Sequence, residues 1–274
     1  MTIGRKISFA LVVCWIATAS LSSNLCATEP EQVTVGDLIA QGREALNTGK
    51  LDEAISAFDS AIALDPGNAV AFYNRAAARR QKQNIDGALA DYDKVISIDP
   101  GYAKAYRMRG NLLQMRREGA RAISDYNRAL ELNPNDALTY LLRGIFWIGE
   151  KDHGKAYQDF DRAILEDPKL VEAYIQRGQL HHWDRKLDLA LADFDEAIKV
   201  DPTNARAYTE RGYVWLETKP ASEGLDHAIA DFERAAKANP SDPMAQQQFK
   251  AATDMKQLFE KLKAEQKKTA VEQK

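Results

Sequence analysis

The side chains best suited to chemistry are few. The 274-residue chain holds four histidines and two cysteines. His181 and His182 are adjacent. On a helix they point about 100° apart and cannot chelate one ion as an i, i+4 pair does. Asp184 beside them reads as a solvated loop residue. His153 falls at an inter-helix loop and His227 beside a local insertion, and neither has a partner motif. Cys14 and Cys26 are too few for a zinc ribbon or a disulfide framework. The sequence carries no Gly-x-Ser-x-Gly, no Walker loop, no dinucleotide fingerprint and no His-Glu-x-x-His. The expectation is a protein without enzymatic activity, metal or cofactor.

The residues that do recur are structural. Pro66, Pro100, Pro134, Pro168 and Pro202 stand 34 residues apart, and Pro240 follows after 38. A fixed period of this size marks a solenoid. In the same register run an alanine column (Ala54, Ala88, Ala122, Ala156, Ala190, Ala228) and, four residues later, an aromatic column (Phe58, Tyr92, Tyr126, Phe160, Phe194, Phe232). A small-residue column precedes them: Gly42, Ala76, Gly110, Gly144, Gly178 and Gly212. Apolar residues such as Tyr106, Gly110 and Leu113, then Ala122, Tyr126 and Ala129, recur at helical spacing. Each period therefore reads as two amphipathic helices that meet where the small residues are. Asp-Pro or Asn-Pro ends the second one, because the residue before proline avoids the α region. Composition agrees. The chain is 45% hydrophobic and 28% charged with a net charge of −3, and holds only 15 glycines and 9 prolines. That argues against disorder and against a many-stranded sandwich or barrel.

This pattern resembles the tetratricopeptide repeat over residues 35–242. The resemblance implies an all-α, right-handed superhelical solenoid of six helix-turn-helix units, 35–68, 69–102, 103–136, 137–170, 171–204 and 205–242. The sixth has four extra residues near Lys219–Asp226. Residues 243–262, with Phe249, Ala252, Leu258, Phe259 and Leu262, read as a helix capping the last unit. Residues 263–274 read as a frayed, charged tail.

Residues 1–27 differ from the rest. Arg5 and Lys6 precede an apolar run from Ile7 to Leu21, then small and polar residues. This is the pattern of a cleaved secretory signal, with a cut after Ala19 or Ala27, followed by a short linker over 28–34. An uncleaved anchor over residues 7–27 is the alternative. A cut after Ala27 leaves a thiol-free chain with 35 basic and 40 acidic residues. The expected location is the periplasm or the medium, with no membrane span after cleavage and no nucleic-acid partner.

Five units carry an arginine before the small residue (Arg75, Arg109, Arg143, Arg177, Arg211) and an aspartate before the aromatic one (Asp91, Asp125, Asp159, Asp193, Asp231). We expect each pair to bridge the two helices of its unit. The first unit, with Gln41 and Ala57, has neither.

In the resembling family the first helices line a concave groove that takes a peptide or a partner protein. Helical spacing assigns to that face Arg43, Tyr73, Arg80, Lys104, Arg107, Asn111, Leu138, Leu141, Ile145, Ile148, Ile175, Gln179, Trp183 and Tyr213. Four of these in the first three units are cations, and the fourth unit is aliphatic. The reading is a groove for a ligand with an acidic end and an apolar middle. The lysine and asparagine clamp by which some relatives hold chaperone tails is incomplete here. Arg107 and Asn111 have its spacing, but Ile39 and Ala77 interrupt it. The alternatives are an accessory subunit of an envelope enzyme or transport complex, and a homo-oligomer built through the C-terminal helix.

Overall fold

The computed structural model describes residues 33–218 and 221–272. The expected signal segment, most of the 28–34 linker and two residues of the sixth-unit insertion lie outside them. From Val35 onward the described chain is all helical: α1 (Val35–Asn47), α2 (Leu51–Leu64), α3 (Ala69–Gln81), α4 (Ile85–Ile98), α5 (Ala103–Met115), α6 (Gly119–Leu132), α7 (Ala137–Gly149), α8 (His153–Glu166), α9 (Val171–Trp183), α10 (Leu187–Val200), α11 (Ala205–Glu217), α12 (Ala221–Ala238) and α13 (Pro243–Glu272). The helices pack in consecutive pairs, each even helix also touching the next odd one, and α13 closes on α12. This is an all-α solenoid. No described helix is long and apolar enough to cross a membrane.

Local sequence sets the helix ends. Asn68, Asn84, Asp152 and Asn204 accept the N–H of Ala71, Gly87, Lys155 and Ala207 and so cap α3, α4, α8 and α11. Asp65, Asp99, Asn133, Asp167 and Asp201 precede the periodic prolines, and each accepts the N–H two residues onward. The side chain therefore folds the turn that the proline begins. The turn inside a pair needs one left-handed residue. Gly49 supplies it at φ 75° in the first pair, but Gln83, Arg117, Lys151 and Arg185 are held at φ 60–62° in the next four.

Packing within a pair rests on the small and aromatic columns. Phe58, Tyr92, Tyr126, Phe160 and Phe194 are fully buried, as are all six column alanines. A Cβ at Gly42 would sit 2.4 Å from Phe58, and one at Gly144 would sit 2.6 Å from Phe160. The ring occupies the space a side chain would need.

The expected ion pairs form in all five units, with Nη2–Oδ1 distances of 2.6–2.7 Å. Each arginine also donates from Nε to the same carboxylate, a two-point contact. The aspartates are buried, with 3–7% of the side chain exposed. Burial pushes the Asp193 carboxyl above the usual carboxylate range, with Arg177 pulling against it. The structure adds a further contact. Each arginine reaches back to the preceding pair, to Asp59, Asp93, Asn127, Asp161 and Asp195 respectively. Each guanidinium also lies 5.2–6.0 Å from the ring three residues earlier. The arginines thus join neighbouring pairs as well as the helices of one pair.

The C-terminal expectation needs correction. The capping helix does not end at residue 262 but runs to Glu272, because residues 263–267 (Lys-Ala-Glu-Gln-Lys) are all good helix formers. Ala245 and Ala252 are buried and Phe249 packs on Phe232 and Leu225. Leu258, Phe259 and Leu262 do not cover the last pair. They are 57%, 39% and 49% exposed.

Two stability measurements follow. Gly144→Ala gains up to ~1 kcal/mol of helix propensity, but overpacking against Phe160 costs ~1–3 kcal/mol. The urea midpoint should fall. Lys151→Gly relieves a left-handed residue and should raise stability by ~0.5–1 kcal/mol in the same titration.

Candidate partner-binding groove

Odd-numbered helices pack on their odd neighbours, α1 with α3, α5 with α7, α7 with α9 and α9 with α11, whereas among the described residues no even helix packs on the next even one to the same extent. In a curved stack the side on which like helices approach is the inner one. The inner side is therefore built by the odd helices, and the residues assigned to the groove lie on them.

One register of that face is a seam. Tyr73 stacks on Tyr102 of the next pair at 5.2 Å. Arg107 bonds Asp136, the residue before α7, at 2.5–2.6 Å, with only 11% of either side chain exposed. Leu141 clusters with Ala173 and Leu180 of α9, and Ile175 with Ala207 and Val214 of α11. Leu141 and Ile175 are 5% and 1% exposed. Both were expected to line the groove, and both belong to the interior, because the following odd helix covers this position. Arg107 is likewise not a free cation.

Polar residues also cross between odd helices. Arg43 donates to Asn74 Oδ1 at 3.3 Å. Gln179 donates to Glu210 at 2.7 Å and accepts from Arg206, which also bonds Glu172. Tyr213 Oη accepts from Gln248 on α13, and its ring meets Phe232 edge-on. Asn111 is half-buried, and Ile145 and Ile148 are partly buried against the α7–α8 core.

The surface that remains has two characters. Leu138 (45% exposed), Trp183 (62%), Tyr213 and Leu216 stay open on α7, α9 and α11. Toward the N-terminal pairs, Arg43, Arg80 and Lys104 have no ion-pair partner among the described residues. Around them lie Tyr73, Tyr92 and Tyr102. Burial raises the pKa of all three phenols, most for Tyr92; Arg107 and Arg80 pull Tyr73 and Tyr92 back, and Arg43 pulls Tyr102. The three stay protonated at neutral pH. Sequence reasoning missed Tyr102, which stands at the N-cap position of α5, where Asn68 and Asn204 cap α3 and α11.

The histidines do structural work. Asp184 is not a solvated loop residue. It accepts from Tyr157 Oη at 3.0 Å and contacts His153 Nδ1 at 2.8 Å, joining α8 to the end of α9. His182 contacts Glu217, while His181 faces the Tyr157 ring, so the adjacent pair diverges. Burial lowers the His181 pKa. Among the described residues, no three His, Cys, Asp or Glu side chains are grouped to hold a metal ion.

Models of the tetratricopeptide repeat match residues 39–103 and 184–243, and a second such model matches 103–136. No curated protein matches the sequence significantly. Among solved structures, a chain of the APC/C hetero-tetramer Cut9-Hcn1 is 19% identical with a TM-score of 0.68, over 80% of this chain and 43% of that one. This chain thus spans less than half of that relative. PilW, described as a widely conserved type IV pilus biogenesis factor, is 17% identical with a TM-score of 0.68, over 78% of this chain and 97% of that one. YrrB, described as having an unusual peptide-binding site, is 24% identical with a TM-score of 0.51, over 71% and 98%. At these identities the likeness is one of fold.

Proposed function

Because the chain belongs to the tetratricopeptide repeat family, we propose that it is an exported interaction scaffold that takes a peptide or a partner protein on the face built by α1, α3, α5, α7, α9 and α11. The observation that carries this reading is the contrast along that face. Unpaired cations stand at one end, and bare Leu138, Trp183, Tyr213 and Leu216 at the other. An apolar anchor beside a charged end fixes both affinity and register of a bound segment. The repeats themselves supply stacking and no chemistry, and the histidines are engaged in holding pairs together. The peptide-binding site described for YrrB is consistent with such a role.

Export rests on the leader: Arg5 and Lys6, the apolar run from Ile7 and a cut after Ala19 or Ala27. It places the scaffold in the periplasm or outside the cell, where the chain beyond Ala27 carries no thiol to oxidise.

A second reading, self-association through α13, is favoured by one observation. Met255, Leu258, Phe259 and Leu262 recur at helical spacing and are 39–57% exposed. In this reading that face meets a second copy of the chain.

The first reading is tested by capture from the native envelope fraction with the chain beyond Ala27 as bait. Leu138→Glu with Trp183→Glu alters two exposed positions and leaves the core intact. It should cut capture at least ~10-fold, and undiminished capture by the folded variant overturns the groove. The second is tested by light scattering after size exclusion. Self-association predicts a dimer that Leu258→Glu with Leu262→Glu turns into a monomer, and a monomeric parent chain rules it out.

A further inference from the structure

The hydrogen-bond census of the second helix pair does not close. Tyr92 is fully buried and its hydroxyl has no partner among the described residues. Neither does the buried Nε of Arg80. One period later the same two positions solve the problem internally. There Tyr126 Oη donates to Gln114 Oε1 at 2.8 Å. Gln114 stands 34 residues after Arg80, and Tyr126 stands 34 after Tyr92. The other four pairs avoid the problem with Phe58, Phe160, Phe194 and Phe232. Only the second pair has a tyrosine and an arginine at these two positions, and the arginine's charge acts on the phenol; a guanidinium has five N–H donors and no acceptor.

No carboxylate nearby is free to serve both. The charges of Arg80 and Arg107 act on Tyr92 and Tyr73, as do those of Asp91 and Asp136. Asp91 is taken by Arg75 and Arg79. Asp136 is taken by Arg107 and Thr139. Buried donors are ordinarily satisfied. Here the missing group is an acceptor, and Arg80, which has no ion-pair partner among the described residues, favours a negative one.

We infer that Arg80 and Tyr92 form a carboxylate-reading site in the groove, which takes an acidic side chain or the terminal carboxylate of a bound peptide. The inference rests on the groove reading above and names the chemistry at its N-terminal end. It uses the last turn of α3 and the middle of α4, positions outside the incomplete lysine and asparagine clamp pattern. The Tyr73 ring, edge-on to Tyr92 at 5.6 Å, shields the site from water and strengthens a charged hydrogen bond there. Reaching Tyr92 requires Arg80, which is only partly buried, to swing with the ligand.

The test uses the full chain and three fluorescein-labelled decapeptides followed by anisotropy. One alternates Glu and Leu and is C-terminally amidated. The second alternates Gln and Leu with a free C-terminus. The third alternates Gln and Leu and is amidated. The parent chain should prefer one or both of the first two over the third by ~10-fold or more. Which one is preferred tells side-chain from terminal recognition. Arg80→Gln recreates the Gln114–Tyr126 arrangement, and Tyr92→Phe recreates the ring of the other four pairs. Both should fold, as circular dichroism checks, and Arg80→Gln should abolish the preference while Tyr92→Phe weakens it. Equal binding of the three peptides by the parent chain, or a preference unchanged in both variants, overturns the site. If the Leu138 and Trp183 variant still loses its native partner in that event, the groove stands without a carboxylate reader.

Discussion

Everything in this fold depends on how closely two helices of a pair approach. The ring of the even helix lies where the odd helix has a glycine or, in the second pair, only the methyl of Ala76, and the alanine column leaves room on the other side. That contact fixes the angle between the helices. It also leaves each pair with an unburied apolar flank that only another pair can cover. Stacking is therefore forced by the geometry of one contact repeated along the chain.

The buried arginine–aspartate contacts then decide which flank meets which. A buried carboxylate with its partner removed carries a penalty of about 3–5 kcal/mol, so sliding one pair along its neighbour is strongly resisted. Since each guanidinium also holds a residue of the preceding pair, the register inside a pair and the register between pairs are set by the same side chain. A face of odd helices emerges with a defined order of side chains, and any partner reads that order.

Much of this was legible from spacing alone. The period, the columns and the arginine–aspartate pairs are sequence patterns because each unit repeats one environment. The second partner of each arginine was equally periodic, one residue after the aromatic column, but exposed aspartates are too common for that signal to stand out. The groove was less legible. Helical spacing places Leu141 and Ile175 on the correct helix face but cannot tell the floor of a groove from the seam between two helices. That distinction depends on how tightly the stack curves. The polar residues failed for a related reason. Whether Arg107 is free depends on Asp136, 29 residues onward. Asp184, similarly, finds partners on α8, 27 and 31 residues away. The tail is charged, but its Lys, Glu, Gln and Ala residues all favour a helix, and propensity outweighs charge in carrying α13 to Glu272.

The backward reach of each arginine bears on how such an array can grow. Cutting or copying the chain by one whole period joins an arginine to an aspartate of the same kind as before, so duplication in frame conserves the chemistry of the joint. The third and fourth pairs break this interchangeability. Arg143 finds Asn127 instead of an aspartate, and Phe146 packs into the cluster that runs from α3 to α6. That joint has exchanged charge for apolar contact. Like the Tyr73–Tyr102 and Arg107–Asp136 contacts, it marks a place where neighbouring copies are fitted to each other and could not be shuffled without loss.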